Sequence, residues 1–300
     1  MTNIIIGVFN VLLVLLAAPG LDGVLRKVRA RIHSRQGPPL LQTYFDLAKL
    51  MVKEDQAAVN NFIFQAAPVA CLGSVLLASL LIPMGGVTPL GFAGDVLFLI
   101  YVLSLAPIML CLGGMASGNP YAFIGVNREV MMLIVVEPVV AITLVASALR
   151  AHSLLLTDSV RYIAQHPPSI SLLICAIAFA LAVQLEVAKL PFDLTEAEQE
   201  IVEGPLIEYS GRKLALLKWS FYAKQVVFLA LFVEAFVPWP RVGNLPLDVF
   251  LTLAKVMLAA VVVEAVAQVF PRLKIKQTLG YFASVIAFAL SGLVLAAMGL

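Results

Sequence analysis

Eight long apolar segments limit the fold of this chain more than any other feature of its sequence. Each is close to the roughly 20 residues that a helix needs to cross the hydrocarbon core of a bilayer. They lie at about residues 3–22, 62–83, 93–115, 128–150, 168–190, 214–237, 247–270 and 278–300. Because a spanning segment must satisfy its own backbone hydrogen bonds, we predict eight transmembrane helices.

The composition agrees with a chain whose main solvent is lipid. Hydrophobic residues make up 61% of it and charged residues only 13%, whereas a soluble domain carries about 25% charged residues. Residues 1–21 contain no charged side chain and lack the basic start of a signal peptide. We therefore interpret them as the first span of an all-α integral membrane protein, with residues 1–300 forming a single polytopic membrane domain.

Lys and Arg residues are distributed unevenly between the connections. Of the 20 such residues, fifteen lie in or beside the odd-numbered connections, three lie in the even-numbered ones, and two lie within spans. In membrane proteins the cytoplasmic loops carry the excess of basic residues. The pattern predicts that the odd-numbered connections face the cytoplasm and that both termini face the opposite side.

The first connection, residues 23–61, combines a basic stretch with an amphipathic one. A turn at Gly37-Pro38-Pro39 separates the two. After the turn, apolar residues recur at helical spacing, namely Leu41, Tyr44, Phe45, Ala48 and Met51 or Val52, and polar residues face the other way, namely Gln42, Asp46, Lys49 and Lys53. The pattern is typical of an amphipathic helix in the membrane interface. It favours either a plain anchor or a wall that borders a lipid entrance or supports a docked subunit.

The fifth connection, residues 189–213, is acidic. Thr195 and Glu198 fit a capping box, which predicts a short helix that starts near Glu196 and ends at Gly204-Pro205. It contains six carboxylates: Asp193, Glu196, Glu198, Glu200, Glu203 and Glu208. No Lys or Arg lies between the first and the last of them. On a helix, Glu196, Glu200 and Glu203 share one face.

Such a carboxylate cluster is suited to proton uptake. In a confined site, like charges raise one another's pKa and titrate together nearer to neutral pH. The alternatives are a solvated acidic loop and a set of salt bridges to a basic subunit.

Ionisable residues also lie inside the apolar spans, where charge is costly and usually marks an ion path or a packed polar network. They are Glu137, Glu186, Lys224, Glu234, Lys255 and Glu264, with Glu129 near the mouth of the fourth span. Pro138 follows Glu137 and can free a backbone carbonyl for water. We interpret these residues as a hydrated proton path that runs inward from the acidic connection, with internal salt bridging as the alternative.

The sequence gives no sign of a catalytic or metal centre. The cysteines Cys71, Cys111 and Cys175 stand alone in apolar stretches, without the spacing of zinc or iron–sulfur ligands. The three histidines lie in separate loops, and no nucleotide fingerprint is present. We expect no catalytic residue, cofactor site or metal ligand in this chain, and the net charge of +2 gives no indication of a nucleic-acid partner.

Three motifs give the chain a resemblance to a known family. The first is RIHSRQGPPLLQTYFDLAKL at residues 31–50, the second is Asn127-Arg128-Glu129 with Val136-Glu137-Pro138, and the third runs from Lys189-Leu190-Pro191-Phe192-Asp193 to Glu208-Tyr209-Ser210-Gly211. In these motifs the chain resembles, over essentially its whole length, the membrane subunit shared by respiratory complex I and group 4 energy-converting nickel–iron hydrogenases. Lys189 and the run EGPLIEYSG at residues 203–211 are more similar to the hydrogenase branch, to which formate hydrogenlyase and hydrogenase-4 belong.

The resemblance implies a membrane subunit of an oxidoreductase complex that holds no redox centre itself. Its partners would be the hydrogenase large and small subunits, an iron–sulfur subunit and antiporter-like membrane subunits, in a bacterial or archaeal cytoplasmic membrane. The nickel–iron centre and the iron–sulfur clusters would lie in those partners. The alternatives are a quinone-site subunit of a complex I-like enzyme, a stand-alone ion transporter and a purely structural anchor.

The candidate residues fall into two groups. For the proton path and coupling they are Glu129, Glu137, Glu186, Lys189, Asp193, Glu196, Glu198, Glu200, Glu203, Glu208, Lys224, Glu234, Lys255 and Glu264. For partner docking they are Arg26, Arg29, Arg31, Arg35, Asp46 and Lys49.

Overall fold

Helices joined by short connections make up the computed structural model, which describes residues 2–56, 59–86, 88–92, 94–166, 169–195 and 198–299. Within those ranges it contains no β-strand. The helices are α1 (Thr2–Ile32), α2 (Gln42–Val52), α3 (Phe62–Leu81), α4 (Asp95–Ala116), α5 (Pro120–Ala151), α6 (Leu156–Gln165), α7 (Ile170–Glu186), α8 (Glu198–Ile201), α9 (Gly211–Phe236), α10 (Leu245–Val269) and α11 (Ile275–Ala297). Short 3-10 turns occupy Met84–Gly86 and Gly204–Leu206.

Seven helices of the described ranges are long and apolar enough to cross a membrane, namely α1, α3, α4, α5, α9, α10 and α11. The prediction of an all-helical, multi-pass membrane protein is therefore confirmed. The remaining predicted span corresponds to α7, which is apolar but has only 17 residues.

Two helices begin or end far from the predicted limits of their spans. Helix α1 continues ten residues beyond residue 22, because its charged last turns find partners: Arg26 pairs with Asp22, and Arg29 pairs with Glu264 on α10. Helix α5 begins at Pro120, where the Asn119 side chain accepts a hydrogen bond from the backbone N–H of Tyr121. Much of the predicted basic loop is thus helical.

The long helices define two ends of the bundle. At the proximal end, α1, α4, α7 and α10 terminate and α3, α5, α9 and α11 begin. Helix α2 and the acidic connection also lie at this end, where Arg212 donates to the Met51 carbonyl and Asn119 donates to Glu208. The distal end carries α6, which is tied to the α9–α10 connection by a hydrogen bond from Trp239 to the Ala164 carbonyl.

Helix α2 forms where the sequence predicts it, but this chain leaves its apolar side uncovered. Thr43 and Leu47 are buried, whereas Phe45 is 60% exposed and Val52 is 84% exposed. Asp46, predicted on the polar side, lies 3.0 Å from Arg26 on α1. The helix therefore packs on the bundle through an edge that includes Thr43, Asp46 and Leu47, and it presents an apolar stripe outward.

Helix α9 is central to the bundle and contacts α1, α2, α3, α7 and α10. Phe228 and Leu229 on this helix are almost fully buried. Polar side chains of α9 consequently meet other helices in the interior rather than lipid.

Candidate functional site

An ion pair in the interior of the bundle joins α7 to α9. Nζ of Lys224 lies 2.7 Å from Oε2 of Glu186, the last residue of α7. A cavity of about 60 Å³, here called the central cavity, borders both side chains and Glu129 of α5. A polar cavity of this size has both the room and the hydrogen-bond partners for water.

Glu129 completes the central cavity from the side of α5. Thr195 of the acidic connection lines the same cavity. No ion pair within 4 Å involves Glu129 in the part of the chain that the structure describes. The cavity therefore joins one tight ion pair to one carboxylate that can exchange a proton without breaking a salt bridge.

A smaller cavity extends the site toward the middle of α5. Its volume is about 10 Å³, and Glu137, Glu186 and Ser104 are among the residues that line it. We call it the inner cavity. Because Glu186 lines both cavities, it forms the wall between Lys224 and Glu137. Glu137 lies eight residues beyond Glu129, about 12 Å further along the helix.

A third and larger cavity lies on the opposite side of the central cavity. This vestibule has a volume of about 190 Å³ and is lined by Val187, Ala188, Lys189, Glu203, Leu206, Lys218, Phe221, Tyr222 and Gln225. It shares Val187, Ala188 and Phe221 with the central cavity. The vestibule, the central cavity and the inner cavity thus follow one another from the proximal end into the bundle.

The acidic segment, residues 187–195 and 198–210, contributes Val187 and Ala188 to the walls of both the vestibule and the central cavity. Within it, α8 spans only Glu198–Ile201, and Glu203 adopts a left-handed conformation with φ of 63°. Glu200 and Glu203 therefore do not share a helical face, and that prediction is wrong. Glu196 and the side chain of Glu198 lie outside the described part of the chain.

The acidic segment packs closely against the backbones of α4 and α5 at two glycines. A Cβ atom on Gly125 of α5 would lie 2.6 Å from Cδ of Pro205, so only glycine fits there. A Cβ atom on Gly113 of α4 would meet the hydroxyl of Tyr209. Tyr209 also stacks on Phe64 at 4.2 Å between ring centroids, and burial raises the pKa of its phenol. Pro205 and Tyr209 of the segment are therefore packed in the bundle, whereas Glu200 and Val202 are exposed.

The carboxylates of the acidic segment are paired with donors from other elements. Asp193 lies 2.9 Å from Arg272, Glu200 lies 2.7 Å from Arg128, and Glu203 lies 3.8 Å from Lys218, while Glu208 accepts a hydrogen bond of 2.6 Å from Asn119. The hydrogen bond from Arg128 lowers the pKa of Glu200 below its usual value. The prediction that these acids raise one another's pKa is thus wrong for Glu200, since Arg128 of α5 and Arg272 of the α10–α11 connection both lower its pKa.

Glu264 is the centre of a second charged cluster at the proximal end. Its carboxylate is fully buried and lies 2.6 Å from Nε of Arg29 and 3.5 Å from Nζ of Lys189. Gln268 donates a further hydrogen bond of 2.8 Å to it. This cluster brings together three of the candidate residues, and Lys189 connects it to the vestibule.

Glu234 and Lys255 lie at the distal end, away from the cavities described above. Glu234 accepts hydrogen bonds from Arg241 at 2.5 Å, from the Thr252 hydroxyl at 2.7 Å and from the Gly85 N–H at 3.3 Å. Lys255 donates to the Val237 carbonyl. Glu234 is ten residues from Lys224, about 15 Å along α9. Within the described ranges, no ion pair or hydrogen bond joins these two residues to the other candidates.

The six docking candidates divide into engaged and exposed side chains. Arg26 bonds to Asp22 and Asp46, and Arg29 bonds to Glu264. Arg31, Arg35 and Lys49 are exposed and make no ion pair within the described ranges.

The sequence analysis missed several polar residues of the vestibule. Lys218, Tyr222 and Gln225 all line it and were not selected as candidates. Their spacing of four and three residues puts them on one face of α9. A polar stripe on an otherwise apolar spanning helix was therefore a usable signal.

Comparisons with known proteins reveal relatives along nearly the whole chain. The family model described as NADH dehydrogenase matches residues 4–297. Formate hydrogenlyase subunit 4 of Escherichia coli (strain K12) is 33% identical over 285 residues, which cover 92% of this chain and 93% of the relative. Hydrogenase-4 component C of the same organism is 36% identical over 254 residues, covering 83% of this chain and 80% of the relative.

Complex I proteins and one solved structure are also similar to this chain. An NADH-quinone oxidoreductase subunit of Solibacter usitatus (strain Ellin6076) is 33% identical over 263 residues, covering 78% of this chain and 66% of the relative. A chain in the structure of the membrane-bound sulfane sulfur reductase, an archaeal respiratory membrane complex, matches with a TM-score of 0.91 and 25% identity. That match covers 99% of this chain and 100% of the other.

Proposed function

Because this chain belongs to the NADH dehydrogenase family, we propose that it is the membrane-anchor and coupling subunit of a hydrogen-evolving, energy-converting hydrogenase complex. The high coverage of formate hydrogenlyase subunit 4 and hydrogenase-4 component C supports this branch of the family. The subunit would link a peripheral redox arm to proton or sodium translocation. The nickel–iron centre and the iron–sulfur clusters would lie in partner subunits.

In this proposal the chain crosses the membrane eight times, with α7 as the additional span. Its 17 residues extend over about 26 Å, close to the roughly 30 Å of a hydrocarbon core. The excess of Lys and Arg at the proximal end supports a cytoplasmic location for that end, with both termini on the other side. Helix α2 would lie in the cytoplasmic interface with its exposed Phe45 and Val52 against lipid.

One observation carries the coupling role: Glu186 lines both the central cavity and the inner cavity. A proton from the cytosol would pass through the vestibule, exchange with the Glu129–Glu186–Lys224 cluster and continue to Glu137. Charges interact strongly at such sites because little water screens them. A change of charge in a redox module docked at the vestibule would therefore shift the proton occupancy of the cluster.

Surfaces suited to partners lie at both ends of this path. Arg31, Arg35 and Lys49 are exposed at the proximal end and would bind acidic surfaces of the peripheral arm. Glu137 is half-buried, and no ion pair involves it in the described ranges. A carboxylate at this depth needs water or a polar partner, and an antiporter-like membrane subunit would supply it.

The test compares two glutamates in the complete complex reconstituted in liposomes. Glu129→Gln removes an exchangeable proton from the central cavity but leaves the Lys224–Glu186 pair in place. We expect hydrogen evolution to continue while the number of ions moved per H2 falls by at least about tenfold, as is usual when a proton-transfer group is lost. Both quantities are measured together, from gas production and from an internal pH or sodium dye.

Glu200→Gln is the matched control, because Glu200 is exposed and lines none of the three cavities. This variant should keep the wild-type ratio of ions to H2. Equal ratios in both variants would contradict the proposed path. A purified complex that lacks nickel and reduces quinone would instead assign the chain to a complex I-like enzyme.

A further inference from the structure

The wall between the vestibule and the central cavity is apolar. The residues that the two cavities share are Val187, Ala188 and Phe221. None of these side chains carries a polar atom, and the N–H groups of Val187 and Ala188 already donate to carbonyls of α7. Polar side chains resume on both sides, with Lys218 in the vestibule and Lys224 in the central cavity. A short apolar zone therefore separates two places that can hold water.

The backbone at Ala188 closes helix α7 in a conformation that favours glycine. The N–H of Ala188 donates to the Leu185 carbonyl at 2.8 Å, and the N–H of Lys189 donates to the Gln184 carbonyl at 3.4 Å. These two hydrogen bonds define a Schellman motif, in which glycine usually occupies the position of Ala188 because φ is positive there. Ala188 has a φ of 50°, so its methyl group is kept at a cost in backbone strain. That methyl group is the only side-chain atom that the residue can contribute to the wall.

The same turn puts two charged neighbours on opposite sides of the wall. Glu186 precedes the turn and lines the central cavity, whereas Lys189 follows it and lines the vestibule. Phe221 completes the wall from α9, about one helical turn before Lys224, and it is only partly buried. A strained turn on one side and a single partly buried ring on the other thus form the boundary.

We propose that Val187, Ala188 and Phe221 form an apolar gate that controls the passage of protons from the vestibule to the central cavity. Water wets an apolar constriction poorly, and such constrictions gate ion passage in membrane channels. Packing alone does not account for alanine at position 188, since glycine would close α7 without strain. The gate rests on the proposed proton path and adds a step to it. Protons reach the vestibule from the cytosol, and their exchange with the carboxylates of the central cavity waits until the ring or the turn moves.

Passive proton flux through the resting complex tests the gate. The complete complex is reconstituted in liposomes with an internal pH dye, and a pH difference is imposed without an electron donor. Phe221→Ala opens the wall, so we expect a passive flux at least about tenfold above that of the wild type, because a rate depends exponentially on the height of its barrier. Phe221→Leu keeps a large apolar side chain and should return the flux to the wild-type value. Ala188→Gly removes only a methyl group and should raise the flux by a smaller factor.

Two matched controls separate the gate from general effects on packing and on backbone strain. Phe232 is another partly buried ring on α9 and lines none of the three cavities, so Phe232→Ala should leave the flux unchanged. His152 ends α5 with a φ of 51° and with the same pair of hydrogen bonds, from its own N–H to the Leu149 carbonyl and from the Ser153 N–H to the Ala148 carbonyl. His152→Gly therefore relieves the same kind of strain outside the cavities, and it should also leave the flux unchanged.

Cryo-electron microscopy of the same complexes distinguishes failure of the gate from failure of the proposed proton path. Water density that stops at the wall in the wild type and crosses it in Phe221→Ala supports the gate. Water that crosses the wall in the wild type, or that still stops there in the variant, overturns the gate. If water crosses in Phe221→Ala but the flux does not rise, the gate stands and the proposed path is wrong. If Phe221→Ala does not assemble, the wild-type map and Ala188→Gly decide by the same criteria.

Discussion

Two buried ion pairs on α9 differ in what surrounds them. At one, Lys224 lies 2.7 Å from Glu186, and at the other, Glu234 lies 2.5 Å from Arg241. The carboxylate side chains are 6% and 3% exposed, so burial does not distinguish them. The first pair borders the central cavity, while the second borders none of the cavities described above.

The difference lies in unused hydrogen-bonding capacity. Around Glu234, donors from the α9–α10 connection, α10 and the turn at Met84–Gly86 converge on one carboxylate. Around Glu186, the cavity brings in Glu129, which has no salt-bridge partner in the described ranges. A buried charge in a spanning helix therefore indicates an ion path only where a cavity and a second exchangeable group accompany it.

Lys224→Met should have the largest effect. It leaves Glu186 buried without its partner, and breaking such a pair costs about 3–5 kcal/mol. We expect a large loss of thermal stability of the complex in detergent together with loss of ion transport. The double variant Lys224→Met/Glu186→Leu should recover much of the stability, because no unpaired charge remains, but should not recover transport. Full ion transport in the double variant would show that the Lys224–Glu186 pair is not part of the proton path.

Glu234→Gln tests the other member of the comparison and should have an intermediate effect. The amide retains an acceptor for Thr252 but loses the charge that faces Arg241, so we expect a loss of about 1–3 kcal/mol. Thermal unfolding of the complex measures this change. The ratio of ions moved to H2 should stay at the wild-type value, and a collapse of that ratio without loss of assembly would show that the distal pair belongs to the path.

Glu200→Gln should have the smallest effect, since Glu200 is 52% exposed and Arg128 keeps its hydrogen bond to the Leu194 carbonyl. An exposed pair contributes below about 1 kcal/mol and is weakened by salt. The folded-state pKa of Glu200 is lowered, so the stabilisation is fully present above its unfolded value of about 4.3 and is lost as pH falls through the folded value. Thermal unfolding of wild type and variant should therefore differ at pH 7 and low salt and converge under acidic conditions. A difference that grows on acidification would contradict the assignment of this pair.

Apolar length predicted seven helices that are long and apolar enough to cross a membrane, but it did not predict where the helices begin and end. The charged turns after residue 22 were predicted as loop, because a basic stretch disfavours lipid. In the structure Arg29 is helical since Glu264, more than 200 residues away in sequence, offers it a buried carboxylate. Partners that remote leave no local signal.

In the candidate site, too, the sequence identified individual residues but not their contacts with distant segments. The sequence identified Glu129, Glu186 and Lys224 separately, because each is a rare charge in an apolar setting. It did not identify Gln225, whose significance depends on a cavity formed by three chain segments. Nor did it predict that Arg128 and Arg272 neutralise acids of the acidic segment.

The sequence by itself determined that the chain is a helical, multi-pass membrane protein, and its charge distribution predicts which loops share a side. Hydrophobic length and charge distribution are local properties, and the bilayer acts on each segment separately. Only the tertiary structure decided which buried charges form ion pairs with one another and which line a cavity. Those outcomes depend on distances of a few ångströms between helices. Whether a carboxylate can exchange a proton is therefore set by its neighbours in space and not by its position in the sequence.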